Sequence, residues 1–580
     1  MKKIIAMLLA LVLVMGLFVG CNNEPATPTT DGKDPAPSTD GATEGTTTEG
    51  EPAEIETPLV IQWDQEKSTD MLEAPFICDY LSYHTPMMWD RMYCYDETYD
   101  KQTQFDEYFV EQLVTGWEYS NDNKTVTFHF RDDAVWSDGE PITAEDAYFT
   151  AMVYILCPES TAGQWDFPEI VGFNDLIEGK TDTLAGMKVV GNDLVFELAE
   201  GNANFRPNMY ILPAHCFEGV AWEDITTADY WKNPVTSGPY KFVEASFPDY
   251  FKLTRRDDYY GEPAGIKNVT CLSFKAGGVD AAIASVISNE STITTRSVTS
   301  NGLLANQIIN ANPDCVPVIM AAEHQRSLTF SQGTRSDGKD KAALIGEDPT
   351  GRQAITLVID EDTIGKYVNC VPAKVMSAPH NKYYNPNFED ARPSQDLDKA
   401  KEMLTEAGWN FDDTLDIFCY YTDQLSLDVL EIIKTDAAKI GLKVNIDAHG
   451  DDAAAAQALG NFDLIFHQAA GANIYPCNYI EGGLHKDWGS KWFGFDKPEN
   501  EWLLKYTAMA EEAWEYDVAD QKYYDLMHKM QAEMFEDCLT IPIYINSTVL
   551  VYNAAQVFIP ETAFDKGDNK LDLHLWKMLK

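Results

Sequence analysis

Positive charge is scarce in this chain: its 580 residues carry 43 Lys+Arg against 93 Asp+Glu, a formal net charge of −50 at pH 7. An acidic excess of that size repels phosphate backbones and anionic lipid head groups, which excludes nucleic-acid binding. Long apolar runs are missing after residue 20, so a polytopic membrane protein is excluded as well. The chain has 11 cysteines but no C-x-x-C pair, and the ten beyond Cys21 are scattered from Cys78 to Cys538. Thioredoxin-like redox chemistry and the usual cysteine metal sites therefore lack support, and the scatter reads as mostly free thiols rather than a disulfide framework. There is no H-E-x-x-H and no G-x-S-x-G. Gly346-Glu347-Asp348-Pro349-Thr350-Gly351-Arg352 has roughly P-loop spacing, yet it ends in Arg and puts a proline where an N–H donor is needed. Asp360-Glu361-Asp362 reads as a helix N-terminus or a solvated turn rather than a calcium site. No catalytic residue, no metal and no cofactor is expected, and the chain reads as a non-enzyme.

What is present begins with a basic start, Met1-Lys2-Lys3, an apolar stretch from Ile4 to Val19, and then Gly20-Cys21. That is the pattern of an export signal over residues 1–20. Gly20 before Cys21 resembles a bacterial lipobox, which implies cleavage there and diacylation of Cys21. Acyl chains on one residue bury enough methylene groups to hold a protein at a bilayer. Residues 21–57 are mostly Thr, Pro, Gly, Ala, Asp and Glu, with Ile55 as the only large apolar side chain between Asn22 and Thr57. Such a segment cannot bury enough surface to fold. It reads as a tether with an end-to-end distance on the order of 30 Å.

Beyond the tether, the clearest organisation lies between Thr414 and Gln468. Leu415, Ile417, Phe418 and Cys419 predict a buried strand, and Leu427, Leu430, Ile433, Ala437 and Ile440 repeat at helical spacing before Gly441. Leu442, Val444 and Ile446 alternate as a second strand, Ala453 to Leu459 follows as a short helix, and Phe462 to Phe466 forms a third strand. Strand, helix, strand, helix, strand predicts a parallel sheet with covering helices. Earlier in the chain, Lys124 to Phe130 alternates, Thr143 with Asp146 predicts a capped helix, and Phe247-Pro248-Asp249 predicts a hairpin turn.

Several motifs then match one family. Glu111-Gln112-Leu113-Val114-Thr115-Gly116-Trp117 is followed by Lys124 to Arg131 and by Trp136-Ser137-Asp138-Gly139-Glu140-Pro141-Ile142-Thr143. Thr236-Ser237-Gly238-Pro239-Tyr240, Arg352 to Asp360, Asp398 to Trp409, and Ile541-Pro542-Ile543-Tyr544 come after it in order. In these runs the chain closely resembles the bacterial extracellular solute-binding proteins that serve ABC importers for peptides and nickel. The resemblance implies an α/β, periplasmic-binding-protein-like fold of type II, the Venus flytrap, with two lobes and an extra domain inserted in the first. Residues 58–88, 200–325 and 535–580 would form lobe I, 89–199 the inserted domain, and 326–534 lobe II. The partners implied are ABC permease and ATPase subunits and a small-molecule or peptide ligand. A monomer lipid-anchored to the outer face of the cytoplasmic membrane is expected.

In peptide-binding relatives the segment after an Asp-Leu strand start carries a tryptophan and then an aspartate that holds the peptide amine. Here the run is Asp463-Leu464 through Tyr475-Pro476, with Ala469 at the tryptophan and Ala472, or Asn473 after a shift of one, at the aspartate. The ammonium anchor is thereby replaced. Candidate cleft residues are Gln468, Asn473 and Tyr475, then Trp488 and Trp492, Trp165 in the inserted domain, and His324 and Gln325 near the crossing. Polar groups at the carboxyl end of a parallel strand face a crevice, which favours Gln468 and Asn473. Within the family reading, oligopeptides come first, another small solute second and nickel complexes third. A solute-sensing surface protein and a hydrolase on the same scaffold stay open as alternatives.

Overall fold

A computed structural model describes residues 55–63, 70–76, 84–95, 109–160, 167–203, 205–274, 277–295, 302–319, 324–331, 333–339, 344, 348–368, 371–372, 394–450, 452–469, 501–517, 520–546, 549–560 and 571–580. Alternation along Thr125–Phe130 buries Val126, Phe128 and Phe130 on one face. That strand lies between Val114–Ser120 and Asp193–Glu197, and Met187–Val190 completes an all-antiparallel sheet of four. Helix Ala144–Leu156 starts where expected: the Thr143 side chain caps it, and Asp146 reaches back to accept the Thr143 N–H at 2.9 Å. The second oxygen of Asp146 accepts the Ala214 N–H at 2.9 Å, which ties the helix start to a loop far along the chain.

A second four-stranded sheet is ordered Leu59–Trp63, Asn268–Ser273, Tyr250–Arg255, Tyr240–Ser246, the first pair parallel and the others antiparallel. Its hairpin turns through Phe247-Pro248-Asp249, as the turn residues predict, with Asp249 N–H donating to Ser246 O at 2.7 Å. Gly238 precedes this hairpin because a side chain there would meet Met87 O at 2.8 Å. Trp136, Trp89 and Trp231 are fully buried in one core that joins these sheets.

The C-terminal half contains the predicted parallel unit. Asp423 caps helix Gln424–Lys439, which buries Val429, Leu430, Ile433 and Ala437 and ends before Gly441 at φ +85°. Strand Thr414–Cys419 pairs in parallel with Lys443–Ala448 on one side and Leu464–Ala469 on the other. The third strand starts later than the apolar run suggests, since Asp463 accepts the Asp416 N–H at 2.9 Å through its side chain before the ladder opens.

Two further strands make this sheet mixed rather than parallel. His324–Phe330 lies antiparallel to both Leu464–Ala469 and Thr540–Asn546, and Val371–Pro372 closes the edge. Pro542 cannot donate to a ladder, and the register shifts between Arg326 and Ser327 where it stands. Leu328, Phe330, Ile417, Leu430, Phe466 and Ile541 form a second core on this sheet.

The chain moves between its sheets on neighbouring strands. Cys315–Ile319 pairs antiparallel with Val549–Asn553, and the next strands, His324–Phe330 and Thr540–Asn546, pair in the six-stranded sheet. The crossings therefore fall at 319–324 and 546–549. Ile293 bridges both Ile61 and Tyr552, fastening the short ladder to the first sheet.

One buried cation fixes the start of the parallel strands. Arg335 donates to Asp416 at 2.8 Å, to Asp337 at 2.9 Å and to Asp463 at 3.3 Å. Its hydrogen bonds hold the Asp337 carboxyl well below the usual carboxylate range. Arg335→Ala strands the buried Asp463 charge and should lower stability by about 3 kcal/mol or more, read as a shift in the urea midpoint. An unchanged midpoint contradicts this account of the sheet.

Candidate functional site

Strands Thr414–Cys419 and Leu464–Ala469 run in parallel, so their carboxyl ends share one edge of the sheet, where crevices form in open α/β folds. Gln468 stands there with Arg326 as its backbone partner, Gln325 lies opposite Ala469, and His324 lies opposite Asn546. Three sequence candidates, His324, Gln325 and Gln468, are thus carried to one end of one sheet. Trp165, Asn473, Tyr475, Trp488 and Trp492 lie outside the described residues.

The same edge gathers residues that the sequence reading did not single out. Arg326 stacks on the Tyr421 ring, its guanidinium carbon 3.6 Å from the centroid. Tyr421 meets Tyr420 at 5.9 Å and Phe466 edge-on at 6.4 Å. Their positions carried a usable signal: Tyr420 and Tyr421 directly follow a strand's buried end, and Arg326 directly follows Gln325. Cys419 is a core thiol, pushed up to about 11 by burial, and it donates to Tyr421 O at 3.2 Å. Behind the edge, Thr329 Oγ1 lies 2.8 Å from His467 Nε2 and 2.9 Å from Thr540 Oγ1, linking three adjacent strands by side chains. This chemistry suits reversible binding by stacking and hydrogen bonds.

Helix Glu501–Ala513 and the residues after it touch the N-terminal half. The buried Arg206 donates to Asp517 at 2.8 Å, and Ala203 N–H donates to Trp514 O at 3.0 Å. The Arg206 guanidinium also faces Trp117 and Tyr119, with centroids at 5.5 and 5.4 Å. These contacts connect residues 311 positions apart.

Among the described residues, Asp138, His215 and Cys216 are the grouping whose ligand atoms come within 4.8 Å of one another. His215 Nε2 is already bonded to Asp138 Oδ2 at 2.9 Å. The Cys216 thiol is pushed up to about 11 by burial and by the charges of Asp138 and Asp146, so it is protonated at neutral pH. The trio is a hydrogen-bonded contact between two distant segments rather than a preformed metal centre. Cys157, Cys271, Cys315 and Cys419 are buried, unbridged thiols, in line with the reading from cysteine scatter.

A cavity of about 350 Å³ lies in the N-terminal half, lined in part by Asp90, Arg91, Glu111, Tyr210, Tyr259 and Tyr260. It contains none of the predicted cleft residues. Tyr259 Oη donates to Asp90 Oδ1 at 3.2 Å, whereas Asp90 Oδ2 is buried without a hydrogen bond. Burial pushes the Asp90 carboxyl up to about 7, offset in part by the neighbouring Tyr260 and Tyr259 hydroxyls and by the charges of Arg256 and Arg131.

With this geometry in view, the comparisons give the class. The chain belongs to family 5 of the bacterial extracellular solute-binding proteins, whose family model matches residues 109–491. It is similar to the nickel-binding periplasmic protein of Escherichia coli, 24% identical over 427 residues, covering 68% of this chain and 74% of that protein. It is also similar to the oligopeptide-binding protein OppA of Lactococcus lactis, 24% identical over 310 residues and half the length of each. Among solved structures, a putative peptide-binding protein, AppA, from Clostridium difficile matches with a TM-score of 0.70 at 16% identity, covering 90% of this chain and 100% of that one. NikA from Brucella suis, in complex with Fe(III)-EDTA, matches with a TM-score of 0.67 at 18% identity and the same coverage. The expected α/β two-lobe periplasmic-binding-protein fold is thereby established. Among the described residues no helix is long and apolar enough to cross a membrane.

The buried Asp90 makes stability depend on pH with a definite sign. Its folded pKa of about 7 lies above the ordinary carboxylate value of 3.8, so the folded chain holds the proton more tightly. Its contribution is complete below pH 3.8 and is lost as pH rises through 7. Wild type should therefore lose stability relative to Asp90→Asn across that window, by on the order of a few kcal/mol. Thermal melts of both chains at pH 4, 6 and 8 measure it, and parallel curves contradict it.

Proposed function

We propose that this chain is the substrate-binding lipoprotein of an ABC importer. It captures an oligopeptide or another small solute between two lobes and hands it to the permease, while ATP hydrolysis in the partner ATPase drives uptake. It performs no chemistry on the solute. The observation that carries this reading is the pair of adjacent crossings at 319–324 and 546–549. Two neighbouring strands that run from one sheet to another can bend together without breaking either ladder, which is what hinge closure requires. Ligand then shifts the population from open to closed through contacts made only in the closed form.

In this proposal lobe I comprises 58–88, 200–319 and 549–580, with 89–199 inserted, and lobe II, 324–546, lies between the two crossings. The return is put at 546–549 rather than at 535 in this reading, supported by the pairing of Thr540–Asn546 with His324–Phe330. Gln468, Asn473, Tyr475, Trp488, Trp492, Trp165, His324 and Gln325 are the proposed cleft residues. Cys21 carries the lipid, residues 21–57 form the tether, and the protein acts as a monomer on the outer face of the cytoplasmic membrane.

Native mass spectrometry of protein purified from its own membranes tests both parts. A non-covalent solute of a few hundred daltons, released on denaturation, and a diacylated Cys21 at the mature N-terminus are expected. A chain that releases nothing, even after incubation with peptide mixtures, would end the importer reading.

A further inference from the structure

Arg206 is a cation held from one side and answered from the other. Its side chain is 1% exposed, and its guanidinium faces the rings of Trp117 and Tyr119 on strand Val114–Ser120. The main chain beside it is fixed as well: Tyr119 Oη donates to Phe205 O at 3.1 Å, and Tyr93 Oη donates to Arg206 O. Asn202 donates through its side chain to Glu169 at 2.8 Å. Residues 202–206 are thereby pinned against residues of the proposed inserted domain.

The acceptor comes from the other end of the chain. Asp517, four residues beyond helix Glu501–Ala513, accepts from Arg206 Nη2 at 2.8 Å, and Trp514 O accepts the Ala203 N–H at 3.0 Å. The crossing at 319–324 lies between these two sets of residues along the chain, and the return at 546–549 comes after both. In the proposed division the contact therefore joins lobe I to lobe II. Phe205, Met509 and Ala513 lie in one buried apolar core, so the polar pair sits on apolar contact.

The two kinds of contact do different work. Apolar burial is non-directional and does not by itself set where one lobe meets the other. A guanidinium already oriented by two rings loses little freedom when a carboxylate arrives, and its planar fork fixes the approach. Breaking a fully buried ion pair strands a charge, whereas an exposed pair contributes little. Here one partner is buried and the other, Asp517, has a side chain 41% exposed that water can take back. Such a pair biases a contact and still releases it.

We propose that Arg206 and Asp517 form a closing latch between the lobes, made when they meet and broken when they part. This rests on the reading of the chain as a two-lobe capture protein and deepens it. Neither residue is among the proposed cleft residues, so the two act as a positioning pair: the latch raises the closed population, and affinity for different solutes changes by the same factor.

The test uses full-length chain freed of solute, with dyes at the exposed positions Glu244 and Glu431 and lobe separation read by single-molecule energy transfer. Wild type is compared with Asp517→Asn, Asp517→Lys and Arg206→Lys, and thermal melts confirm that each variant folds. The closed-to-open ratio should fall about tenfold in Asp517→Asn, equivalent to about 1.4 kcal/mol. It should fall further in Asp517→Lys, which sets a like charge against Arg206, and least in Arg206→Lys, which keeps the charge but loses the fork. Raising the ionic strength from about 0.05 to about 1 M should lower the ratio more in wild type than in Asp517→Asn, because only wild type has the pair to screen. If Arg206→Lys fails to fold, the two changes at the half-exposed Asp517 carry the comparison. A ratio unchanged in every folded variant overturns the latch. If the solute recovered from natively purified protein still shifts that ratio, lobe closure stands; if it shifts nothing either, the capture reading falls with the latch.

Discussion

The constraint on which this structure depends is that one chain must pass twice between the Cys315–Ile319/Val549–Asn553 ladder and the six-stranded sheet. It does so on strands that are already hydrogen-bonded neighbours: Cys315–Ile319 beside Val549–Asn553 on one side, His324–Phe330 beside Thr540–Asn546 on the other. Paired crossings confine relative motion to a narrow bend, because separating the strands would break main-chain ladders on either side. The Ile293 bridges hold one ladder to the first sheet, and the Thr329–His467–Thr540 cluster braces the other within the second. In the proposed hinge, the bend would lie between these two segments.

Function follows from where that bend sits. His324, Gln325 and Arg326 are the first residues of the strand after the crossing, and the sheet places them beside the carboxyl end of Leu464–Ala469. In the proposed function, a solute held at this edge would lie close to the hinge, so a small rotation would bring the opposing lobe against it. Tyr420 and Tyr421 meet at the same edge, and the guanidinium of Arg326 stacks on the Tyr421 ring. The contact of Arg206 with Asp517 joins the N-terminal half to the helical region of the C-terminal half.

Much of the fold was legible because local signals agreed with tertiary packing. Asp423 as a cap, helical spacing through Leu430, Ile433 and Ala437, and Gly441 at positive φ all mark one helix, and the structure has it. What the sequence concealed was pairing between distant segments. Nothing local states that Thr540–Asn546, with a proline inside it, runs beside His324–Phe330, since the register shift that accommodates Pro542 exists only in the assembled sheet. The site was partly legible for the same reason. Of the proposed cleft residues, Gln468 was named from a strand end and Gln325 from its place near the crossing, whereas Arg326 and Tyr421 lie about a hundred residues apart and meet only through Leu464–Ala469, the strand between theirs.

The central claim is that the first sheet and helix Gln424–Lys439 approach one another when solute is held. Dyes placed at exposed positions Glu244, in the first sheet, and Glu431, on helix Gln424–Lys439, report the distance between them by single-molecule energy transfer. With solute released from natively purified protein, the account predicts a shift from a longer-distance population to a shorter one in proportion to occupancy. A distance distribution that stays the same at saturation would contradict it.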